Sequence, residues 1–327
     1  MLIRPAIAAD RAEDQTAEIL EAGLRAPSAH NAQPWRLRRL GPARFQLLYA
    51  TADKLDSDPD DRDALLGIGA FVETLALEAG ARGWRLTFTP QVARQTRVVS
   101  LGDLALSPVS TGATDPLSKH VGRRHTNRQP YDARPLPDAL REELLALGCV
   151  LMAPEEAAKL VRQAGVMAWG DPRFVRDLKA WTRFGSAVFP DGMTCGCLAL
   201  SAVDQAFLKL AFRMGSLPTW LARAFAEREV YLTRHSSSVA VLLTPDMEPA
   251  TLLAQGRKLL RCWVAICGAG WCYQPISVVI DQPTKYRLAE RVGAGPVAIF
   301  RIGHTSRPAA WSERRPLGAL LLKEYGA

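Results

Sequence analysis

Cysteine is scarce: there are six in 327 residues, at positions 149, 195, 197, 262, 267 and 272. So few thiols cannot staple a chain of this size, and reduced cysteines are expected rather than a disulfide framework. Cys195-Gly-Cys197 has no second pair to complete a zinc site. Cys262 and Cys267, if helical, stand about 140° apart and cannot share a metal on one face. Long apolar runs are missing too; stretches such as 238–244 and 262–271 fall short of the ~20 residues that span a bilayer. The opening carries Asp10, Glu13 and Asp14 where a signal peptide needs an apolar core. A cytoplasmic chain without metal, signal or membrane segment is the expectation. Three catalytic signatures are absent as well: G-x-x-x-x-G-K-[ST], H-E-x-x-H and G-x-S-x-G. The glycines at 293–298 follow a helical pattern and enter a strand, the reverse of a dinucleotide loop.

What is present belongs to a folded protein. A hydrophobic share of 48% with 23% charged residues can bury enough apolar surface to offset the entropy of ordering. The length suits two ordinary units. The formal charge is +8 with a pI near 9.4, but the basic residues are spread along the chain and accompany no nucleic-acid-binding signature. Small basic groups at Arg123-Arg124 and Arg314-Arg315 suit a small phosphate better than a duplex.

Periodicity predicts a helix over 12–25 stopped by Pro27, a hairpin of strands over 35–40 and 45–50, and a long buried helix over 62–84. Strands over 85–89 and 96–101 lead to a Ser/Thr/Gly/Pro-rich linker over 107–116. Beyond it come a helix over 137–147, a strand over 149–152, helices near 154–168 and 171–184, and an ill-defined helical or loop region to about 230. A strand over 238–244, a second long helix over 249–268, a strand over 276–280, a short helix over 285–292 and a strand over 296–302 complete the pattern. Helices and strands alternate in both halves, an α+β (α/β sandwich) arrangement around central helices.

Three polar segments carry candidate chemistry. Pro27-Ser28-Ala29-His30-Asn31-Ala32-Gln33-Pro34-Trp35 is a helix end running into a strand; such residues are ordinary turn formers, and their amides and hydroxyls also suit a polar planar ring. Arg124-His125-Thr126-Asn127-Arg128 offers fork-shaped donors beside a hydroxyl, as a phosphate needs. Arg314-Arg315-Pro316-Leu317 is a basic segment after the last strand.

Together these segments resemble the nitroreductase family of flavoenzymes, whose members carry R-[RH]-[ST]-x-[RK], then a helix, then P-S-x-x-N-x-Q-P-W, and a late R-[RK]-P-L. The order here is displaced: the arginine motif lies about a hundred positions after the P-S-x-x-N segment, so each half keeps one part. The family builds FMN sites at homodimer interfaces, and the resemblance therefore implies two related halves, 1–110 and 117–327, forming an internal pseudo-dimer with one FMN, as in the Acg-like branch where such fusion is known. Further oligomerisation is left open. Carried over, Arg124, His125 and Thr126 hold the phosphate with Arg314 and Arg315, Arg128 approaches the pyrimidine edge, Gln274, Pro275 and Ile276 face flavin N5, and Pro27, Ser28 and Asn31 close the opposite side. The resemblance implies reducing equivalents from NADH or NADPH passing through FMN to a nitroaromatic, quinone or similar small acceptor, with no catalytic side chain and with neither nucleic acid nor membrane as partner. Its alternative is a flavin-binding or storage protein in which residues 185–235, with Phe207, Leu208, Leu210, Phe212, Leu217, Trp220, Leu221 and Phe225, cover the ring or pack as core.

Overall fold

A computed structural model describes residues 4–94, 98–109, 114–132 and 134–322. Part of the expected linker and the first residues of the strand expected over 96–101 lie outside the described residues. In chain order the first half runs α1 (Arg4–Gly23), β1 (Trp35–Gly41), β2 (Arg44–Ala50), α2 (Arg62–Ala81), β3 (Trp84–Arg94) and β4 (Val98–Pro108). The second half opens with a 3-10 helix (Pro116–Arg123), α3 (Asp138–Ala146) and β5 (Cys149–Met152). It continues through α4 (Pro154–Gly170), α5 (Pro172–Trp181), β6 (Thr182–Arg183), β7 (Met193–Thr194), α6 (Ala202–Met214) and α7 (Thr219–Arg234). Last come β8 (Ser238–Thr244), α8 (Pro249–Gly268), β9 (Cys272–Pro275), α9 (Val278–Asp281), α10 (Thr284–Val292), β10 (Gly295–Gly303) and α11 (Leu317–Leu320).

Two four-stranded antiparallel sheets form, in the orders β1-β2-β4-β3 and β5-β8-β10-β9. Within each half this is the same order, first-second-fourth-third, and each half inserts its long helix between its second and third strands. Helices α2 and α8 cross in contact. A Cβ at Gly69 would fall 2.1 Å from the Leu253 carbonyl oxygen, and one at Gly256 would fall 2.2 Å from that of Leu66. Each glycine thus admits the backbone three residues before the other, a reciprocal contact that only glycine permits at this separation.

The apolar face read from the sequence is the buried one: Leu65, Leu66, Ile68, Phe71, Val72, Leu75 and Leu77 of α2 are all shielded from solvent. Each such side chain contributes roughly 2 kcal/mol on burial. Trp35 stacks on Phe71 with ring centroids 5.0 Å apart, which ties β1 to α2. One sequence expectation is corrected here. The 20 residues of α2 are long and apolar enough to cross a bilayer by length and composition, because their alanines and glycines extend the run; 72% of that window is buried inside the protein, where α8 and the first sheet cover it.

A second correction concerns residues 276–280, expected as a strand. The ladder ends at Pro275; the Ile276 N–H still donates to Ile299 O, but Ile280 and Asp281 donate to Ser277 O and close a helical turn. A short apolar run has the same composition either way. The halves differ most between their first two strands: β1 and β2 are joined through Pro42 and Ala43, whereas β5 and β8 are joined by residues 153–237, which build α4 to α7.

Candidate functional site

Helix α1 runs out in a frayed turn, with Leu24, Arg25 and Ala26 donating to the carbonyls of Glu21, Ala22 and Gly23, and Pro27 has no N–H to continue it. The loop that follows holds three non-glycine residues in the left-handed region: His30 (φ 50), Asn31 (φ 58) and Gln33 (φ 53). Each costs on the order of 1 kcal/mol and persists only where neighbours over-determine it. They do so here. Ser28 Oγ accepts from Gln33 N at 2.9 Å, and Gln33 Nε2 donates to Pro190 O at 2.9 Å and to Asn31 O at 3.2 Å. Asn31 Nδ2 donates to Gly192 O at 3.1 Å and to Glu313 O at 3.0 Å, while Gln33 Oε1 accepts from Arg315 N at 2.9 Å. The loop is therefore bonded both to the long β5–β8 connection and to the segment near the end of the chain.

Against this loop opens a cavity of about 960 Å³, lined among others by Pro27, Ser28, Asn31, Arg124, His125, Thr126, Arg128, Arg314 and Arg315. Nine of the twelve residues singled out in the sequence thus share one wall system. Arg124 is buried; its guanidinium donates to Tyr273 Oη at 2.8 Å and to Arg25 O at 2.8 Å. Arg314 donates to the same Arg25 carbonyl at 3.5 Å and to Ser312 O and Glu313 O, and its Nε is buried without a partner among the described residues. Burial, reinforced by the neighbouring Arg124, pushes Arg314 down to about 10. Neither arginine has a carboxylate within ion-pair distance among the described residues. Arg315 differs: it is held by Asp53 at 2.9 and 3.0 Å and by Asp191 at 3.0 Å. Two adjacent cations, one buried and one half-buried, that lack counter-charges among the described residues raise each other's cost until an anion arrives.

A second chamber of about 240 Å³ shares Pro27, Ser28, His30, Thr126, Arg128 and Met193 with the first and adds Gly67, Trp263, Pro275 and Asp281. Arg128 donates to Cys197 O at 2.8 Å. His30, whose Nδ1 is buried without a partner among the described residues, has its pKa lowered to about 4 by burial, so its ring is neutral at pH 7. Asp281 is pushed up to about 7 by burial even though Arg62 pairs with it. Pro275 reaches this chamber, but Gln274 and Ile276 do not: both face a third cavity of about 400 Å³. Gln274 has its amide committed to Glu229 and Arg301, and the Ile276 N–H is donated to Ile299 O. Sequence reasoning passed over His30, Trp311, which lies against His125 with centroids 4.6 Å apart, and Cys197, all on the large cavity. His30 lay inside a motif already singled out; the other two have no signal beyond the fold.

No family model matches the chain. A Mycobacterium tuberculosis protein named "Putative NAD(P)H nitroreductase" is 29% identical over 51% of this chain, and the match spans about half, 51%, of that relative's length. An uncharacterized protein of the same organism is 24% identical with 91% of this chain and 90% of that one covered. A Serratia protein named "Probable NAD(P)H nitroreductase PigM" is 24% identical with 89% and 88% covered. The solved structure of a nitroreductase-like family protein from Bacillus cereus overlaps with a TM-score of 0.37 at 12% identity, covering 66% of this chain and 100% of that one, a likeness too distant to add weight. In sequence, the chain is thus similar to proteins that carry the name NAD(P)H nitroreductase.

Proposed function

We propose that the chain is an FMN-dependent oxidoreductase of nitroreductase type, taking reducing equivalents from NADH or NADPH and passing them to a small nitroaromatic, quinone or similar acceptor. The observation that carries the reading is the pair Arg124 and Arg314, buried and half-buried on one cavity, sharing the Arg25 carbonyl and without a carboxylate among the described residues, beside an Arg315 that has two. That arrangement suits a phosphate dianion. The fit extends inward, since His30 Nδ1, Asn31 Oδ1 and Arg314 Nε are buried polar atoms on this same cavity without partners among the described residues, and Trp263 Nε1 is a fourth in the adjoining chamber. The names of the relatives agree with the cofactor pair only in part: they mention NAD(P)H.

When bound, FMN supplies the redox chemistry. The chain's own residues bind and orient it. Arg124 and Arg314, with His125 and Thr126 on the same wall, hold the phosphate, Arg128 presents a cation at the pyrimidine edge, and Pro27, Ser28 and Pro275 bound the ring chamber. Neutral His30 is able to donate or accept there without adding charge. No protein nucleophile is needed. The repeated strand order and the reciprocal glycine crossing support reading 1–110 and 117–327 as related halves acting as an internal dimer, and the cytoplasm, where NADH and NADPH are at hand, is the location this reading needs. The test is anaerobic mixing of the FMN-loaded chain with each nicotinamide: bleaching of the flavin absorbance is expected. Tight FMN binding without bleaching by either would return the storage reading, and no FMN affinity would remove both.

A further inference from the structure

Helix α6 is apolar on two sides. Leu208, Ala211 and Phe212 turn inward onto α5 and α7. Val203, Phe207, Leu210 and Met214, spaced four, three and four residues apart, form a second stripe that is 64, 52, 46 and 46% exposed, and Trp220 at the start of α7 is 73% exposed. A water-facing helix normally carries polar groups there. From Gln205 to Ala226 the sequence has no acidic residue, while Lys209, Arg213 and Arg223 are all exposed. Directly behind lies the third cavity, about 400 Å³, walled by Trp169, Phe174, Leu208 and Phe225, with Arg128 and Pro275 on its lining as well as on that of the ring chamber. Phe207 belongs both to the outer stripe and to this inner wall.

We propose that α6 and the start of α7 are a docking face for an anionic lipid surface, on which the chain lies without crossing it, and that a lipid-dissolved ring compound enters the apolar cavity past Phe207. An apolar stripe with an aromatic at its end, bordered by three cations and, at its first turn, by the single carboxylate of Asp204, is the composition of an interfacial helix. A second copy of the chain is the poorer occupant, because a two-fold contact sets the same patch against itself and brings Lys209, Arg213 and Arg223 of both copies together. The proposal departs from the expectation of no membrane partner. Its second clause rests on the redox reading above; the docking clause does not.

The experiment is flotation of the full chain with vesicles of phosphatidylcholine alone or mixed with phosphatidylglycerol. Three surface cations predict about a hundredfold stronger partitioning to the anionic vesicles, lost in high salt. Leu210→Ser with Met214→Ser, and separately Arg213→Glu with Arg223→Glu, should each abolish flotation while the circular dichroism spectrum and FMN affinity stay as in the parent chain. Equal failure of the parent with both vesicles overturns the docking face, as does a dimer in light scattering that Leu210→Ser dissociates. Flotation needs no flavin, so its failure is separable from a failure to bind FMN. If docking holds, reoxidation of the reduced protein by a quinone bearing an apolar chain should be faster on anionic vesicles than in their absence; equal rates would overturn the entry route.

Discussion

The two halves share one strand order and differ at one connection. Where β1 returns to β2 through two residues, β5 reaches β8 only after residues 153–237. The half with the short connection supplies a strained loop at 27–33; the half with the long one supplies Arg124 and Arg314 and, through Pro190 and Gly192, the carbonyls that hold that loop in its left-handed conformation. The long connection therefore completes the site from outside the sheet. Equal scaffolds carry unequal duties, and the duties sit in the connections rather than in the strands.

The scaffold is where the halves should respond alike, and the largest effect is expected there. Gly69→Val and Gly256→Val each force a side chain into the opposing helix backbone and should cost about 3–5 kcal/mol, lowering Tm by roughly 10 °C in a thermal melt. Similar losses for both would support the reciprocal crossing; a loss at only one position would break it.

The site is where the halves should part. Arg124→Ala or Arg314→Ala removes a charge-assisted contact worth about 1.5–3 kcal/mol, and FMN affinity should fall about ten- to a hundredfold with riboflavin affinity nearly unchanged. Arg315→Ala should instead act mainly on stability, since it takes from Asp53 and Asp191 one of the two arginines that each pairs with. Equilibrium titration with both ligands separates the three. Asn31→Ala removes two of the bonds that fasten the loop, so FMN and riboflavin should weaken together, by about three- to tenfold; a ligand-blind result with an intact fold would deny the first half a part in binding.

The most gradual effect is a pH slope. Burial holds His30 at about 4, below the usual 6.5, so between those values the unfolded chain binds a proton that the folded chain does not. Stability from this residue is complete above pH 6.5 and is lost as pH falls through about 4, by about 1–3 kcal/mol. Asp281, raised from 3.8 to about 7, works in the opposite sense over an overlapping window, favouring the folded state at acid pH and losing that contribution as pH rises through 7. Comparing urea midpoints of the parent and His30→Gln from pH 4 to 7 isolates the histidine; parallel curves would count against its burial.

Much of the scaffold was readable because its signals are local. The expected strands over 149–152 and 238–244 and the helix over 249–268 coincide with β5, β8 and α8, since alternation and helical spacing are set by which face each element buries. Residues 276–280 misled because an apolar run of that length is ambiguous and the deciding hydrogen bonds end at Pro275. At the site, the arginine groups were visible as types but not as roles. Nothing near Arg314-Arg315 tells which is paired, because the carboxylates that claim Arg315 lie at 53 and 191. Likewise, the commitment of Gln274 depends on Glu229 and Arg301, brought to it by the sheet and by α7.

The bond from Asn31 to Glu313 O and that from Gln33 to Arg315 N join positions separated by 282 residues. Synthesis proceeds from the amino end, and early segments fold while later ones are still being made. The loop at 27–33 is thus among the first parts to emerge and the last to find all its partners, and until then the cost of its left-handed residues is offset only by the bonds to Ser28, Pro190 and Gly192. On the proposed reading, FMN capture would wait for this late segment: a nascent polypeptide stalled before residue 312 would present Arg124 and the loop without Arg314 and Arg315.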